Sequence, residues 1–426
     1  MDRDTRGVPR REFLKAAVAI GGASALSACL DREDEAVSVP SGTDDPASLP
    51  ERQHAWNAYA ARDDAGNVLP PRHHVLLHLD LDGGDPGDDA DRETLETALR
   101  SLERAYEWSN DGLLFTLGYS PAYFDALGGR PPEVDLPRPE PLSDIEDPAL
   151  DEPDAILHLA SDHASVVLEA GQAMRGERDT ANDEPVDATL TEVFSVADRR
   201  TGFVGDGLPA DNQDVDGVPD SEPVDEDAPL YMGFKSDFEA SQATEERVTI
   251  DAGPFAGGTT QHVSHIDLGL RQWYEQDGRE EREAKMFCPA HASEDRIEGT
   301  GENLGSDPGL DDSPPPEETA RDDGIVGHGQ KLQRVREDGR PIILRRDFDS
   351  TDGGRAGLHF LALQRDIADF VRTRDAMNAD DISSETAVGR RTNNGIRQYL
   401  SVTHRGNYLL PPRGRRALPT PEGEDA

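Results

Sequence analysis

The chain has 426 residues, and its 87 acidic and 43 basic residues give a formal net charge of −44. This balance argues against nucleic acid as a partner, because phosphate binding needs basic stripes. Only four basic residues are lysine, and acidic residues occur along the whole chain, a composition typical of extreme halophiles, where molar salt screens like-charge repulsion.

The first 29 residues have the three parts of an export signal. A basic segment ends in the pair Arg10 and Arg11, and an apolar run from 16 to 26 follows that is too short to span a bilayer. The run ends at Cys29 in a sequence that resembles a lipobox. We expect twin-arginine export and a lipid anchor on Cys29 at the outer face of the cytoplasmic membrane. The alternative is an N-terminal helix with a chance arginine pair.

Residues 30–70 are acidic and rich in Pro, Ser and Asp, which predicts a flexible tether. Residues 71–200 then alternate between strand and helix patterns. The predicted strands are 73–81, 112–119 and 154–161, and the predicted helices are 91–108 and 162–174. This order is typical of a ferredoxin-like α+β unit.

A second ferredoxin-like unit is predicted over 201–412. Its predicted strands are 260–268, 340–348 and 357–363, and its predicted helices are 269–274 and 364–376. Residues 292–330 are acidic and contain three consecutive prolines, so we expect a surface insertion there. Residues 413–426 are predicted to be a disordered tail. The fold class is therefore α+β, with two ferredoxin-like units of antiparallel sheet and packed helices.

Local motifs do not by themselves assign a chemistry to the chain. It has no zinc-ligand spacing, P-loop, dinucleotide fingerprint or nucleophile elbow. Cys29 is assigned to the lipobox, which leaves Cys288 without an internal disulfide partner. Most of the twelve histidines fit polar positions on amphipathic strands, and the clearest examples are His73, His74, His78, His158 and His163.

Several segments, taken in order, resemble the dye-decolourising peroxidase family of haem enzymes. Gly202 to Gly207 resembles the family's Gly-x-x-Asp-Gly motif, although Gly205 adds one residue before Asp206. The other similar segments are Gly112-Leu-Leu-Phe-Thr-Leu-Gly-Tyr, Gly257-Gly-Thr-Thr with the following strand, Arg340-Pro-Ile-Ile-Leu-Arg-Arg, Gly357-Leu-His-Phe-Leu-Ala-Leu and Tyr408-Leu-Leu-Pro-Pro.

The resemblance implies one haem b per chain, held between groups with distinct roles. His291 is then the proximal iron ligand, with His262 and His265 as the alternatives. Asp206 is the distal acid–base group, and Arg345 is the cation that stabilises charge as the O–O bond breaks. Asp347 is two residues further along the predicted strand, so it should share the face of Arg345 and be a second distal polar group. Without the resemblance, Asp206 fits a turn, Arg345 a surface ion pair and His291 a loop.

The resulting hypothesis is an exported haem peroxidase that reduces hydrogen peroxide with electrons from an unidentified donor. One alternative is a haem-binding or iron-handling lipoprotein with little peroxidase activity. Another is a haem-free binding module that keeps the fold. Membrane contact is expected through the lipid alone, and the sequence leaves a homo-oligomer open.

Overall fold

The computed structural model describes residues 38–83, 88–309 and 312–422. The predicted export signal with Arg10, Arg11 and Cys29 lies outside these ranges. Among the helices of the described residues, none is long and apolar enough to cross a membrane.

The first half of the chain forms an antiparallel sheet with helices on one face. Leu95, Leu99 and Leu102 recur at helical spacing, and all three are buried against that sheet. The order of strands in the sheet is 194–203, 73–81, 155–161 and 114–119, which is that of a ferredoxin-like unit. The elements are β1 His73–Leu81, α1 Asp89–Ala105, β2 Leu114–Tyr119, α2 Pro121–Ala126, β3 Ala155–Ser161, α3 Ala164–Met174 and β4 Phe194–Phe203.

The second half repeats this arrangement, with strands 400–410 and 357–364 on either side of strand 259–268. The predicted strand 340–348 is interrupted and forms three short pieces, the first of which, Arg340–Pro341, pairs away from the main sheet. The elements are β5 Thr259–Leu268, α4 Leu270–Glu275, α5 Arg279–Met286, α6 Pro289–Ser293, α7 Pro316–Asp322, α8 His328–Lys331, β6 Leu344–Arg345, β7 Phe348–Ser350, β8 Gly357–Gln364, α9 Ile367–Asn378, α10 Asp380–Glu385 and β9 Leu400–Leu410.

The two sheets join at both edges and close into one barrel. Leu409 of β9 pairs with Tyr119 of β2, and Asp349 of β7 pairs with Phe203 of β4. This closure leaves each half with one sheet face inside the barrel and one outside. The outer face of the first half is covered by α1 and α3, and the outer face of the second half carries the site described below.

The barrel interior is rich in histidine. Alternate residues of each strand point inward, and the inward rings form a contacting series. His74 stacks on Phe348 at 4.2 Å between centroids, and His265 stacks on His359 at 4.6 Å. The inward histidines are His74, His78, His158, His265, His359 and His404.

Three segments differ from the sequence predictions. Residues 38–70, predicted as a tether, pack on the body, and the Trp56 side chain is 2% exposed. Arg416, in the predicted disordered tail, is buried and forms an ion pair with Glu103. The predicted insertion 292–330 contains α7 and the start of α8, and His328 lines a cavity. Composition predicted polar surface, but a few apolar and arginine side chains suffice to anchor each segment.

Candidate active site

A cavity of about 390 Å³ lies on the outer face of the second sheet, within the usual size range of cofactor and ligand sites. Its floor is apolar, because every second residue of three neighbouring strands points the same way. The floor residues are Ile266 and Leu268 of β5, Leu358 and Phe360 of β8, and Leu400 and Val402 of β9. Helix α9 forms the opposite wall with Phe370, Thr373 and Met377.

His328 enters this cavity from the first residue of α8. Its position is fixed by tight backbone packing: a Cβ on Gly327 would lie 1.7 Å from the Phe287 carbonyl oxygen, and one on Gly395 would lie 3.0 Å from the His328 Cα. Helix α8 is also anchored by Lys331, whose buried ammonium donates to the Met377 carbonyl at 2.8 Å. The imidazole is therefore held rigidly at the cavity wall.

The His328 ring is neutral and has an unpaired nitrogen. Burial, reinforced by the cations of Lys331 and Arg345, lowers the pKa of this imidazole to about 3. Its Nδ1 is buried and has no hydrogen-bond partner among the residues that the structure describes. A neutral imidazole held rigidly at a cavity wall is the form that binds a metal ion.

Arg345 and Asp347 line the same cavity from the interrupted strand. The Arg345 guanidinium donates to the Ser236 carbonyl at 2.9 Å and lies 4.0 Å from the Asp347 carboxylate. Asp347 Oδ1 is buried and, within the described chain, accepts no hydrogen bond. A cation and an incompletely paired carboxylate thus share one wall with His328. The sequence prediction that Arg345 and Asp347 share a face agrees with this geometry.

A second carboxylate, that of Asp237, lies near Arg345 and Asp347. Burial, and next the negative charge of Asp347, raise the pKa of Asp237 to about 6. Asp237 lines an adjoining cavity of about 300 Å³ whose wall also includes Arg345. The Arg345 side chain therefore stands between the two cavities, with carboxylates on both sides.

One edge of the larger cavity has a surplus of positive charge. Four arginines line it, whereas the acidic residues there are Glu146 and the exposed Asp147. Glu146 forms ion pairs with Arg374 and Arg405. Arg391 and Arg397 instead donate to backbone carbonyls or to a hydroxyl. Burial and the neighbouring Arg374 cation lower the pKa of Arg397 to about 10. The four are Arg374, Arg391, Arg397 and Arg405, and in so acidic a chain they suit an anionic ligand.

Asp206 lies outside all of these cavity walls. It is exposed in the turn after β4, where its carbonyl oxygen accepts a hydrogen bond from Arg72 at 3.2 Å. The preceding Gly205 has a φ of 116°, a backbone conformation that side chains rarely adopt. The additional glycine thus belongs to a turn that presents Asp206 to solvent. The structure does not bring Asp206 together with Arg345.

The predicted iron ligands are likewise placed away from the cavity lining. His291 lies on α6, with Nε2 3.4 Å from the Ser313 hydroxyl. Both ring nitrogens of His262 are hydrogen-bonded, at 2.7 Å, to Asn407 and Ser264. His265 points into the barrel. Over the described residues, no three His, Cys, Asp or Glu side chains form a metal-binding group.

Sequence reasoning missed His328 and the arginine edge. His328 lies in a segment assigned to a surface insertion by its acidity, although a glycine on each side of it is a local sign of close packing. The arginines come from positions 374 to 405, on a helix, a loop and a strand, and no local spacing links them.

Comparison with solved structures defines the class of fold. A DyP-type peroxidase structure from Shewanella oneidensis superposes with a TM-score of 0.53 at 15% identity, covering 84% of this chain and 97% of that one. A dye-decolorizing peroxidase from Bacteroides thetaiotaomicron superposes with a TM-score of 0.52 at 13% identity, covering 86% of this chain and 100% of that one. A DypB variant from Rhodococcus jostii, solved in complex with heme, superposes with a TM-score of 0.50 at 16% identity, covering 86% of this chain and 99% of that one. The chain has the fold of the DyP-type peroxidases.

At the level of sequence, residues 71–412 match the family of unknown function DUF7405. The chain belongs to that family. Its sequence has no match among curated proteins.

Proposed function

We propose that this protein is a haem-dependent peroxidase that reduces hydrogen peroxide with electrons from a separate donor. The observation that carries the proposal is the meeting of His328, Arg345 and Asp347 around one cavity in a DyP-type fold. We assign the iron ligand to His328 rather than to His291, because His328 lines the cavity and His291 does not. Both imidazoles have a lowered pKa and an Nδ1 without a hydrogen-bond partner among the described residues, so their position decides the assignment.

The cavity suits haem b, at one per chain, in three respects. Its apolar floor matches the porphyrin face, and the neutral imidazole of His328 matches the iron. The arginine edge matches the carboxylate side chains of haem, since guanidinium groups bind carboxylates through paired hydrogen bonds. Arg391 and Arg397 are the best candidates, because their hydrogen bonds go to backbone carbonyls and a hydroxyl rather than to a carboxylate.

When bound, haem supplies the redox centre at which peroxide is reduced. The chain's own residues position the peroxide and move its protons. Arg345 stabilises the negative charge that develops on the peroxide oxygens as their bond breaks. Asp347, coupled electrostatically to Asp237, accepts a proton from one peroxide oxygen and returns it to the other. One peroxide, two electrons and two protons then give two waters.

The test uses the full chain, purified in high salt and reconstituted with haem. We expect a Soret band in the wild type that is lost or shifted in His328→Ala and unchanged in His291→Ala, the matched control. Arg345→Leu should retain the band and react with peroxide about a hundredfold more slowly, as expected for removal of a charge-stabilising donor. Absence of haem uptake by the wild type would overturn the proposal.

A haem-binding or iron-handling lipoprotein is the second candidate function. The exposed position of Asp206 favours it, because the acid–base residue expected from the family resemblance is absent from the cavity wall. The two functions are separated by peroxide turnover: a carrier would show the Soret band without rapid spectral change on addition of peroxide.

We also propose that the protein is exported by the twin-arginine pathway and anchored by lipid on Cys29. The support is the order of Arg10, Arg11, the apolar run and Cys29 in the sequence. That pathway carries folded proteins, which suits a chain that binds haem before export. Fractionation of cells expressing Cys29→Ser and Arg10→Lys with Arg11→Lys tests the two steps: the first change should release exported protein, and the second should retain it inside.

A further inference from the structure

The 300 Å³ cavity beside Arg345 has a wall that lies outside the DUF7405 match. Residues 53–71, which we call the strap, run across its opening and end where the match begins. The strap contributes Trp56, Ala58, Val68, Leu69 and Pro70 to the cavity wall. On the opposite side are the interrupted strand and residues 237–246.

The first part of the strap is fixed to the body by buried hydrogen bonds. The Gln53 side chain donates to the Leu117 and Pro411 carbonyls, which belong to opposite halves of the barrel. Glu245 accepts hydrogen bonds from the backbone of Trp56 at 2.7 Å and from Arg346 at 3.1 Å. The Arg346 guanidinium also lies over the Trp56 ring, 4.2 Å from its centroid.

The second part of the strap is a short hairpin with its own anchors. Arg62 and Val68 form its bridge, and Asp63 caps its turn and binds the Lys235 ammonium. The Asn67 side chain donates to the Gly305 carbonyl at 2.9 Å and accepts from the Glu239 amide at 2.8 Å. Both ends of the strap are therefore fixed, so the cavity has a defined width.

The cavity leads from solvent to Arg345. Its outer rim includes the exposed residues Ala58 and Glu246, and its inner end includes the buried His74 and Arg346. Arg345 lines both this cavity and the larger one, whereas His328 does not line this cavity. A small molecule that enters beneath the strap thus reaches the guanidinium before it reaches His328.

We propose that this cavity is the entry chamber for hydroperoxides and that the strap sets their size limit. The inference rests on the proposed peroxidase function and specifies its substrate class: hydrogen peroxide and short alkyl hydroperoxides enter, and aryl hydroperoxides are excluded. Val68 and Leu69 restrict the width of the chamber, and the rim at Ala58 is its entrance. These residues determine specificity through access and contact no reacting atom.

The experiment compares small and bulky probes on the haem-loaded full chain. Cyanide and 4-phenylimidazole report access to the iron by the rate of Soret shift, and hydrogen peroxide and cumene hydroperoxide report access of substrates. We expect the bulky probe of each pair to react much more slowly in the wild type. The double variant Val68→Ala, Leu69→Ala should raise the bulky-probe rates roughly tenfold and change the small-probe rates little.

Two further variants keep the test independent of folding defects. Ala58→Trp adds bulk at an exposed rim position and should slow cyanide and hydrogen peroxide alike. Tyr59→Ala changes a neighbouring exposed residue that does not line the chamber, and its rates should equal those of the wild type. Equal rates for small and bulky probes in the wild type, or an unchanged ratio in the double variant, would overturn the inference alone. A chain that takes up no haem would overturn the proposed function and this inference together.

Discussion

Asp347 and Asp206 offer a direct comparison of two carboxylates at the residue scale. Asp347 is buried beside Arg345 in the cavity wall, whereas Asp206 is exposed in a turn. Asp347→Asn preserves size and removes the proton-accepting charge, so we expect peroxide to be reduced more slowly, by about a hundredfold, in line with usual acid–base contributions. Asp206→Asn should leave the rate within about twofold of the wild type.

Stopped-flow measurement of the Soret change after peroxide addition checks both substitutions. Circular dichroism and haem content serve as controls for folding and loading. The opposite result, a large loss in Asp206→Asn and none in Asp347→Asn, would mean that the turn after β4 rearranges in the working enzyme.

Two residues of the cavity wall, Arg345 and Asp347, were identified from the sequence, whereas His328 was not. Arg345 and Asp347 were predictable because strand geometry places residues two apart on one face, and that geometry is local. His328 was not predictable in this way. Its role depends on contacts with Gly395 and Met377, which approach α8 from distant parts of the chain.

At the scale of elements, Gly327 decides how closely α8 approaches α5. An added Cβ would lie 1.7 Å from the backbone oxygen of Phe287, which cannot move away without shifting the end of α5. Gly327→Ala should therefore lower the free energy of unfolding by about 1–3 kcal/mol, as overpacking does, and weaken haem retention through His328.

The matched control is Gly129→Ala, because a Cβ at Gly129 meets no atom within 4 Å. Urea unfolding of both variants gives the comparison, and haem transfer to an acceptor protein gives retention. Equal stability of the two variants would contradict the packing argument.

Elements were predicted well where one apolar pattern determined them. β1 has the predicted bounds 73–81, and most other strands and helices differ at their ends by a few residues. The predicted strand 340–348 departs further, because Arg340 and Pro341 pair with a neighbouring short strand instead of with β8. β6 and β7 keep one register against β8, and the Arg346 amide between them donates to the Leu361 carbonyl. The break between them coincides with the stacking of the Arg346 guanidinium on Trp56, a contact between distant residues that has no signature in local spacing.

At the scale of the whole molecule, the histidine-rich barrel interior makes stability depend on pH. Burial lowers the pKa of His74 and His265 to about 3 and that of His78 to about 4. Between pH 6.5 and about 4 the unfolded chain binds protons that these imidazoles do not bind when folded. The free energy of unfolding therefore falls as the pH falls through this window, by up to about 1.4 kcal/mol per imidazole per pH unit.

Urea unfolding at several pH values between 7.5 and 4 measures this slope. Asp237 opposes this fall in the free energy of unfolding, because its raised pKa makes the folded state bind a proton in the same pH window. His265→Gln and His78→Gln should each flatten the dependence, even where they lower stability at pH 7.5. A slope that both substitutions leave unchanged would assign the acid sensitivity to other groups.

The net charge of −44 leads to a second prediction for the whole molecule. Repulsion among like charges opposes the compact state more than the expanded one, and salt weakens it as the Debye length falls from about 8 Å at 0.15 M to about 3 Å at 1 M. We expect the midpoint of thermal unfolding to rise steeply with KCl over this range. Above 1 M KCl the midpoint should rise less steeply, because the screening length has become shorter than the spacing of surface charges.

Screening can be separated from salting-out by comparing denaturants and salts. Guanidinium chloride is itself a salt, so its first few tenths molar should stabilise the protein at low ionic strength, whereas urea should destabilise it throughout. Ammonium sulfate should exceed KCl only at high concentration, where exclusion from the protein surface adds to screening. If KCl has no effect below 1 M, close acid–arginine pairs such as Glu103 with Arg416 already neutralise the repulsion locally, and the acidic surface does not require salt.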